Sequence, residues 1–371
     1  MRIQRMELHN FRNYELQVLD FSDGINVLIG GNAQGKTNLL EAIYVLALAR
    51  SHRTSNEKEL IKWGQQTAQI RARVVKKVGS VPLELDLGQK GKKARINHLE
   101  QAKLSSYIGN LNVILFAPED LSIVKGSPQV RRRFMDMEFG QMSNRYLTNL
   151  TQYRKILKQR NRYLRNLHNH VSKDKVYLDV LSDQLSAYGA EVIFERVSLL
   201  KKLEGFAQKV HKEISQGKEE LEFQYKSSVP KDRFKSVDVI YQNLRQQYAS
   251  IQEKEILRST SLLGPHRDDL KFVINKKEVA SFGSQGQQRT TALSMKLAEI
   301  DLMKEQTGEY PVLLLDDVLS ELDSYRQTHL LLAIQNKVQT FITTTSLSDV
   351  QQELLKNPKI FRIDNGKVSV E

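Results

Sequence analysis

The chain has 371 residues, 40% of them hydrophobic and 27% charged, and carries a formal net charge of +13. That length supplies core for two or three domains, and the charge favours a polyanionic partner, either nucleic acid or an acidic membrane surface. There is no cysteine, which excludes disulfides and thiolate metal sites. Residues Met1 to Leu8 lack an apolar signal-peptide core, and the apolar run Ala42 to Ala49 is too short to cross a bilayer. These features predict a soluble cytoplasmic protein with no membrane-spanning segment.

Ile3 to Leu8 and Ile25 to Ile29 are predicted strands. Directly after the second comes Gly30-Gly31-Asn32-Ala33-Gln34-Gly35-Lys36-Thr37, which satisfies G-x-x-x-x-G-K-[ST] at every position. Leu39, Leu40, Ile43, Leu46 and Ala47 then recur at helical spacing, completing the strand, glycine loop and helix that this motif requires. Glycines let the backbone curl so that successive N–H groups face phosphate oxygens, and the helix adds its positive end. Lys36 is expected to reach the β- and γ-phosphates of ATP, and Thr37 to ligate Mg²⁺.

Ile70 to Val75 and Leu83 to Leu87 alternate as half-exposed strands, with Lys90 to Lys93 a basic turn. Val113 to Phe116 is a short buried strand stopped by Pro118. From Gln129 to Val210 proline is absent and apolar residues fall at helical spacing. This predicts an antiparallel helical hairpin, linked through the polar stretch His168 to Lys175. Leu221 to Tyr225 is a predicted strand returning toward the α/β part, and Ser227 to Ser236 a loop. After Leu257 the α/β texture resumes. Pro311 to Asp317 is an apolar strand ending in two acids, Thr340 to Thr345 another strand, and Lys359 to Ile363 with Asn365-Gly366-Lys367 a closing hairpin. The predicted organisation is an ATP-binding α/β lobe built from residues 1–117 and 257–371, with a helical lobe, 118–256, inserted.

A P-loop is completed by an acid on a neighbouring strand. Asp316 is placed to hold Mg²⁺, and Asp317 to orient or deprotonate the attacking water. Upstream, Phe282-Gly283-Ser284-Gln285-Gly286-Gln287-Gln288-Arg289 opens a helix and forms a second anion-binding nest. A phosphate site separate from the P-loop points to the ATP of another subunit.

The order of P-loop, helical insertion, glycine-serine-glutamine signature, acidic strand, Ser320-Glu321-Leu322-Asp323 loop and Thr343-Thr344-Thr345 strand end resembles the ABC-type ATPase heads of the SMC family. More closely, the chain is similar over its whole length to the RecF family of bacterial DNA replication and repair proteins. The segments that carry this are Leu8 to Tyr14, Gly30 to Thr37, Ser51 to Thr54, Phe116 to Leu121, Lys125 to Arg133, Gly264 to Asp269, Gly283 to Arg289 and Leu314 to Asp323. The implied fold is an ABC/SMC-type P-loop ATPase head, α/β, with an inserted helical lobe.

The resemblance implies roles residue by residue. Asp316 is the acid of the second ATPase motif, and Asp317 stands where ABC proteins carry a catalytic glutamate, implying slow, switch-like ATP hydrolysis. Ser284, Gly286 and Gln287 match the signature and imply contact with the γ-phosphate on a partner protomer, with Gln285 replacing a glycine. Asp323 lies in the interface loop, Arg53 matches an arginine used near nucleotide or DNA and fits a structural salt bridge equally well, Thr344 or Thr345 takes the switch-histidine position, and Pro118-Glu119-Asp120 the place of the Q-loop. The implied function is ATP-dependent DNA binding in recombinational repair. An ATP-dependent homodimer would clamp duplex DNA near gaps or single-strand junctions and work with RecR and RecO to load RecA, with a link to the SOS response and without a membrane partner.

Arg131, Arg132 and Arg133, followed by Arg145, Arg154, Lys155, Lys158, Arg160, Arg162 and Arg165, form a cation density suited to phosphate backbones. The first three are equally placed to touch nucleotide or to join the lobes. No base-reading motif is present, so DNA binding is expected to follow structure. His266, Arg267 and Asp268 fit either the surroundings of the active site or a structural turn, and His168 and His170 read as surface residues. The rival function is a transporter-type ATPase subunit, which requires a membrane partner and no salt-dependent DNA affinity.

Overall fold

The computed structural model describes residues 1–89, 91–346 and 357–370. Two compact units emerge. One comprises Met1–Leu121, Lys209–Lys218 and Arg289–Glu371; the other comprises Ser122–Gln208 and Glu219–Gln288.

The first unit holds two six-stranded sheets. β1 (Arg2–Phe11), β2 (Tyr14–Asp20), β4 (Thr67–Lys76), β5 (Gly79–Gly88), β6 (Gly91–Ile96) and β7 (Leu99–Glu100) form an antiparallel sheet in the order β2-β1-β4-β5-β6-β7. The predicted basic turn is therefore shorter than expected, since Gly91 to Lys93 already pair as β6; Lys90 lies outside the described residues. β3 (Ile25–Ile29), β8 (Val113–Phe116), β12 (Val312–Asp316), β13 (Thr340–Thr344), β14 (Lys359–Asp364) and β15 (Lys367–Val370) form the second sheet, ordered β15-β14-β3-β13-β12-β8. Its strands from β14 to β8 run parallel. β3, β8, β12 and β13 are buried along their lengths, as parallel strands covered on both faces must be. The closing hairpin turns at Asn365 and Gly366, both in the left-handed region at φ 49° and 77°.

α1 (Lys36–Leu48) touches β8, β12 and β13 of one sheet and β4 and β5 of the other. Its apolar residues circle the whole helix, and Leu39, Leu40, Ile43, Val45 and Leu46 have no exposed surface, the pattern of a helix buried on all sides. The unit also carries α2 (Leu104–Tyr107) and α11 (Ser324–Ile334). Trp63, the only tryptophan, is 99% exposed on a turn closed by the Gln65 N–H donating to the Lys62 carbonyl.

The second unit is built from α3 (Leu121–Lys125), α4 (Pro128–Met142), α5 (Asn144–His168), most of α6 (Lys175–Ile214), α7 (Val237–Ser250), α8 (Gln252–Arg258), α9 (Val279–Phe282) and the start of α10 (Gln285–Thr307). A three-stranded sheet, β11-β10-β9, completes it, from β9 (Leu221–Lys226), β10 (Asp269–Ile274) and β11 (Lys277–Glu278). The strand at Leu221 thus stays within the helical unit, paired from Leu221↔Ile274 to Lys226↔Asp269. For the same reason residues 257–288, placed by sequence texture with the ATP lobe, pack here.

Tyr146, Leu150, Tyr153, Ile156, Leu164 and Leu167 make the buried stripe of α5, and Arg160 sits within it, fully buried. Its guanidinium donates to Ser182 Oγ (3.0 Å), Ser261 Oγ (2.7 Å) and Glu255 Oε2 (2.5 Å) and stacks on Tyr248. Arg196, 1% exposed, donates to Tyr146 Oη, the Pro265 carbonyl and Asp136 Oδ1. Each cation is tolerated in the interior because its own set of oxygen acceptors satisfies it, so Arg160 leaves the predicted DNA face. Gly264 (φ 109°) turns the chain into the Pro265–Asp268 segment, where a Cβ would lie 2.5 Å from Tyr153 Oη. There Tyr153 Oη meets His266 Nδ1 at 2.6 Å, and burial pushes His266 down to about 4. Asp268 accepts from Tyr225 Oη through one oxygen, while the other has no hydrogen-bond partner among the described residues. Burial pushes this carboxyl up to about 6 from 3.8.

A folded-state pKa above the unfolded value favours the folded form at low pH. The contribution of Asp268 is complete below about pH 4 and is lost as pH rises through about 6, by about 3 kcal/mol at most. Asp268→Asn is expected to flatten that part of the stability–pH curve, measured by urea denaturation followed by circular dichroism at pH 4 to 7.

Candidate nucleotide site

β3 delivers the chain to the Gly30–Gly35 turn, and α1 begins at Lys36. Gly30 admits no side chain, since a Cβ would stand 2.3 Å from the Ile363 carbonyl oxygen, and Gly35 adopts φ 121°. The N–H groups from Asn32 to Thr37 donate to no described residue. The turn therefore presents a row of unpaired donors at a helix N-terminus, an arrangement suited to an anion with several oxygens. Lys36 folds over it and donates to the carbonyls of Gly30 (2.6 Å) and Gly31 (2.8 Å). Burial draws the Lys36 ammonium below the ordinary lysine range, against the opposing pull of Asp317 and Asp316.

A clamp that sequence reasoning did not assign holds this turn from outside. Asn13 Nδ2 donates to the Gln34 carbonyl (3.0 Å) and Tyr14 Oη to the Gly35 carbonyl (2.9 Å). Asn38 Nδ2 donates to Asn13 Oδ1, and Arg53 Nη1 to Asn38 Oδ1, each at 2.9 Å. Beneath them Glu41, with no exposed surface, takes two hydrogen bonds from Arg12 at 2.9 Å and one from Ser51 Oγ, and lies 3.5 Å from Arg53. Burial alone pushes the Glu41 carboxyl up; these partners outweigh it and hold it below the usual carboxylate range. Arg53 thus has a structural anchor while its side chain remains 45% exposed. The sequence signals for the clamp were the short Leu8–Tyr14 and Ser51–Thr54 segments.

The sequence placed the acid on a strand neighbouring the P-loop strand; instead β13 lies between β3 and β12. Its last residues bridge the gap. Thr343 Oγ1 donates to Asp316 Oδ1 (2.9 Å) and accepts from the Asp317 N–H (2.9 Å). Thr37 Oγ1 donates to the same Asp316 oxygen at 3.0 Å. Two hard oxygen ligands, one hydroxyl and one buried carboxylate, are thereby brought together, a donor set that fits Mg²⁺. Among the described residues no group of three or more His, Cys, Asp or Glu side chains is arranged to hold a metal alone. Asp317 follows with its backbone in the left-handed region (φ 55°) and its side chain exposed; Ser320 Oγ donates to its carbonyl at 2.8 Å. Thr344 Oγ1 is turned to the Ser346 carbonyl. At the Q-loop position the Ala117 N–H donates to Asp120 Oδ2, and burial pushes that carboxyl up against the pull of Lys296.

The signature residues stand in the second unit, apart from this cluster in the division of the chain. Ser284 and Gln287 form a reciprocal cap: the Gln287 N–H donates to Ser284 Oγ (3.2 Å), and the Ser284 N–H to Gln287 Oε1 (2.9 Å). The Ser284 hydroxyl hydrogen is not used by that cap. Gln287 Nε2 donates to Glu219, and Gly286 lies on the first turn of α10. Asp323 caps α11 through the Arg326 N–H at 2.9 Å.

The predicted DNA contacts separate by burial. Arg131 is 7% exposed and paired with both oxygens of Asp269, at 2.7 and 3.0 Å. Arg132 donates to the Asp268 carbonyl, and Arg154 is paired with Asp136. Arg131 and Arg132 are held within their unit, whereas the paired Arg154 side chain stays 53% exposed. Arg133, Lys155, Lys158 and Arg162 are exposed and form no ion pair among the described residues. With Arg165, the last three line one face of α5 over about 15 Å.

A family model described as RecF/RecN/SMC N terminal domain matches residues 2–369. The chain belongs to this family. It is 63% identical to the DNA replication and repair protein RecF of Pediococcus pentosaceus over 99% of this chain and 98% of that protein. It is 60% identical to the RecF of Ligilactobacillus salivarius over 100% and 98% of the two chains. A solved structure described as the recombination mediator protein RecF-ATPrS in the RecFOR pathway superposes with a TM-score of 0.92 at 34% identity, covering 100% of this chain and 98% of that one. The expected resemblance, head fold and place in DNA replication and repair stand on these matches, which give the transporter alternative no support. Among the described residues no helix is long and apolar enough to cross a membrane.

Glu41→Ala leaves the Arg12 guanidinium without its carboxylate. The expected loss is about 3 kcal/mol of stability in the first unit, measured by urea denaturation with circular dichroism.

Proposed function

We propose that the chain binds ATP on the Gly30–Thr37 turn and uses it to pair with a second copy of itself around DNA. The observation that carries this reading is the row of unpaired N–H groups beside Lys36, Thr37 and Asp316. Asn32 to Thr37 offer their amides to phosphate oxygens, and Lys36 exchanges its two carbonyl partners for the β- and γ-phosphates. Thr37 and Asp316 are the residues that would hold Mg²⁺, which neutralises charge on the transferred phosphate when bound. Asp317, exposed and next to the buried acid, orients or deprotonates the attacking water. Its short side chain and solvent contact suit slow turnover. Ser284 donates its free hydroxyl hydrogen to the γ-phosphate held by the partner copy, so pairing depends on a triphosphate.

DNA binding is assigned to the exposed face of Lys155, Lys158, Arg162 and Arg165, with Arg133 nearby in sequence. Four cations spaced along one helix face suit a phosphate backbone and carry no base-specific information. The proposed substrate is duplex near gaps or single-strand junctions, and the proposed setting is recombinational repair with RecR, RecO and RecA; the likeness to a recombination mediator protein of the RecFOR pathway supports the mediator part of this reading.

Size-exclusion chromatography with ATP and with ADP is expected to show a dimer with ATP alone, and Ser284→Arg to abolish it. Asp317→Asn is expected to retain pairing while turnover falls at least about 100-fold; equal pairing with both nucleotides refutes the reading. In the same framework, replacing Lys155, Lys158 and Arg162 by alanine is expected to lower the slope of log affinity for duplex DNA against log salt by about 1 per residue, measured by fluorescence anisotropy.

A further inference from the structure

We infer that Arg326 is a positioning residue that locks the loop carrying Asp317 to the signature helix, an inference that rests on the nucleotide reading above. Arg326 lies one turn into α11, and its side chain is 19% exposed. Its Nη1 pairs with Asp323, whose other oxygen caps the same helix. Its Nε and Nη2 both reach Thr290 Oγ1 on α10, at 3.1 and 2.9 Å. A second link runs the opposite way: Arg289 Nη1 of α10 donates to the Glu321 carbonyl at 3.3 Å. The loop from Asp317 to Asp323 is short and tied internally by Ser320 Oγ donating to the Asp317 carbonyl. It is therefore pinned to α10 at two points, one of them a planar guanidinium with donors on two edges.

α10 is one continuous helix that begins one residue after Ser284. Thr290 lies about 9 Å along its axis from that serine, and a hydrogen-bonded helix transmits a shift of its first turn to its second. A displacement of the Ser284 turn on meeting a triphosphate thus becomes a displacement of Thr290, of Arg326, and of the loop that sets Asp317. Arg326 touches neither phosphate nor water in this scheme. It makes the geometry of the hydrolytic aspartate depend on whether the signature is engaged.

The test separates turnover from binding. Wild type is measured first for ATP affinity, pairing and hydrolysis; if it binds no ATP, the nucleotide reading itself falls. Arg326→Ala is expected to lower turnover at saturating ATP about tenfold while ATP affinity of the unpaired chain stays within about twofold. Thr290→Val, which keeps the side-chain shape and removes the oxygen, is expected to do the same more weakly, and Arg326→Lys to restore part of the loss. Undiminished turnover in Arg326→Ala overturns the inference. So does a matching loss of affinity, which would place Arg326 among nucleotide contacts. If Arg326→Ala fails to fold, Thr290→Val decides: lowered turnover at unchanged affinity supports the lock, and full turnover overturns it.

Discussion

One carboxylate oxygen organises the first unit. Asp316 Oδ1 accepts from Thr37 at the head of α1 and from Thr343 at the end of β13, so the ends of three parallel strands are fixed against one another at a single buried point. A buried charge is tolerated where its hydrogen-bond capacity is met, and here both donors are hydroxyls. Hydroxyls can rotate away or exchange partners at little cost, which guanidinium donors cannot. The arrangement is consequently rigid in backbone yet adjustable in chemistry, a combination suited to a site that takes and releases a cation.

The opposite solution appears a turn further along α1. Glu41 is saturated by Arg12, Ser51 and Arg53, and through Asn13 and Asn38 the same network grips the glycine turn. The donors are charged and the geometry bidentate, so this part of the site is permanent. The second unit uses the same logic at larger scale, with Arg160 and Arg196 each holding several elements from inside the helical core.

What was legible in the sequence was local chemistry. The glycine turn, the acid pair, the hairpin at Asn365-Gly366 and the link between α5 and α6 are each encoded within a few consecutive residues. Pairings across distance were not. β9 and β10 are separated by more than 40 residues in sequence, and nothing in either segment states its partner, so the boundary between units was displaced. The insertion of β13 between β3 and β12 is invisible for the same reason, and with it the role of Thr343. Arginine misleads most readily: Arg131 and Arg160 have the composition of a surface but find carboxylates and hydroxyls far along the chain. β2 escaped prediction because Leu16 and Val18 are 60% and 40% exposed, which blurs the alternation a strand is recognised by.

The turn at Lys62–Gln65 has a practical consequence. Because the sole indole already stands in water in the folded molecule, its emission changes little on denaturation. It is instead a native probe of one surface point, responsive to whatever approaches that turn and blind to the core. Any quenching or spectral shift on adding a macromolecule therefore maps an encounter there without an attached dye.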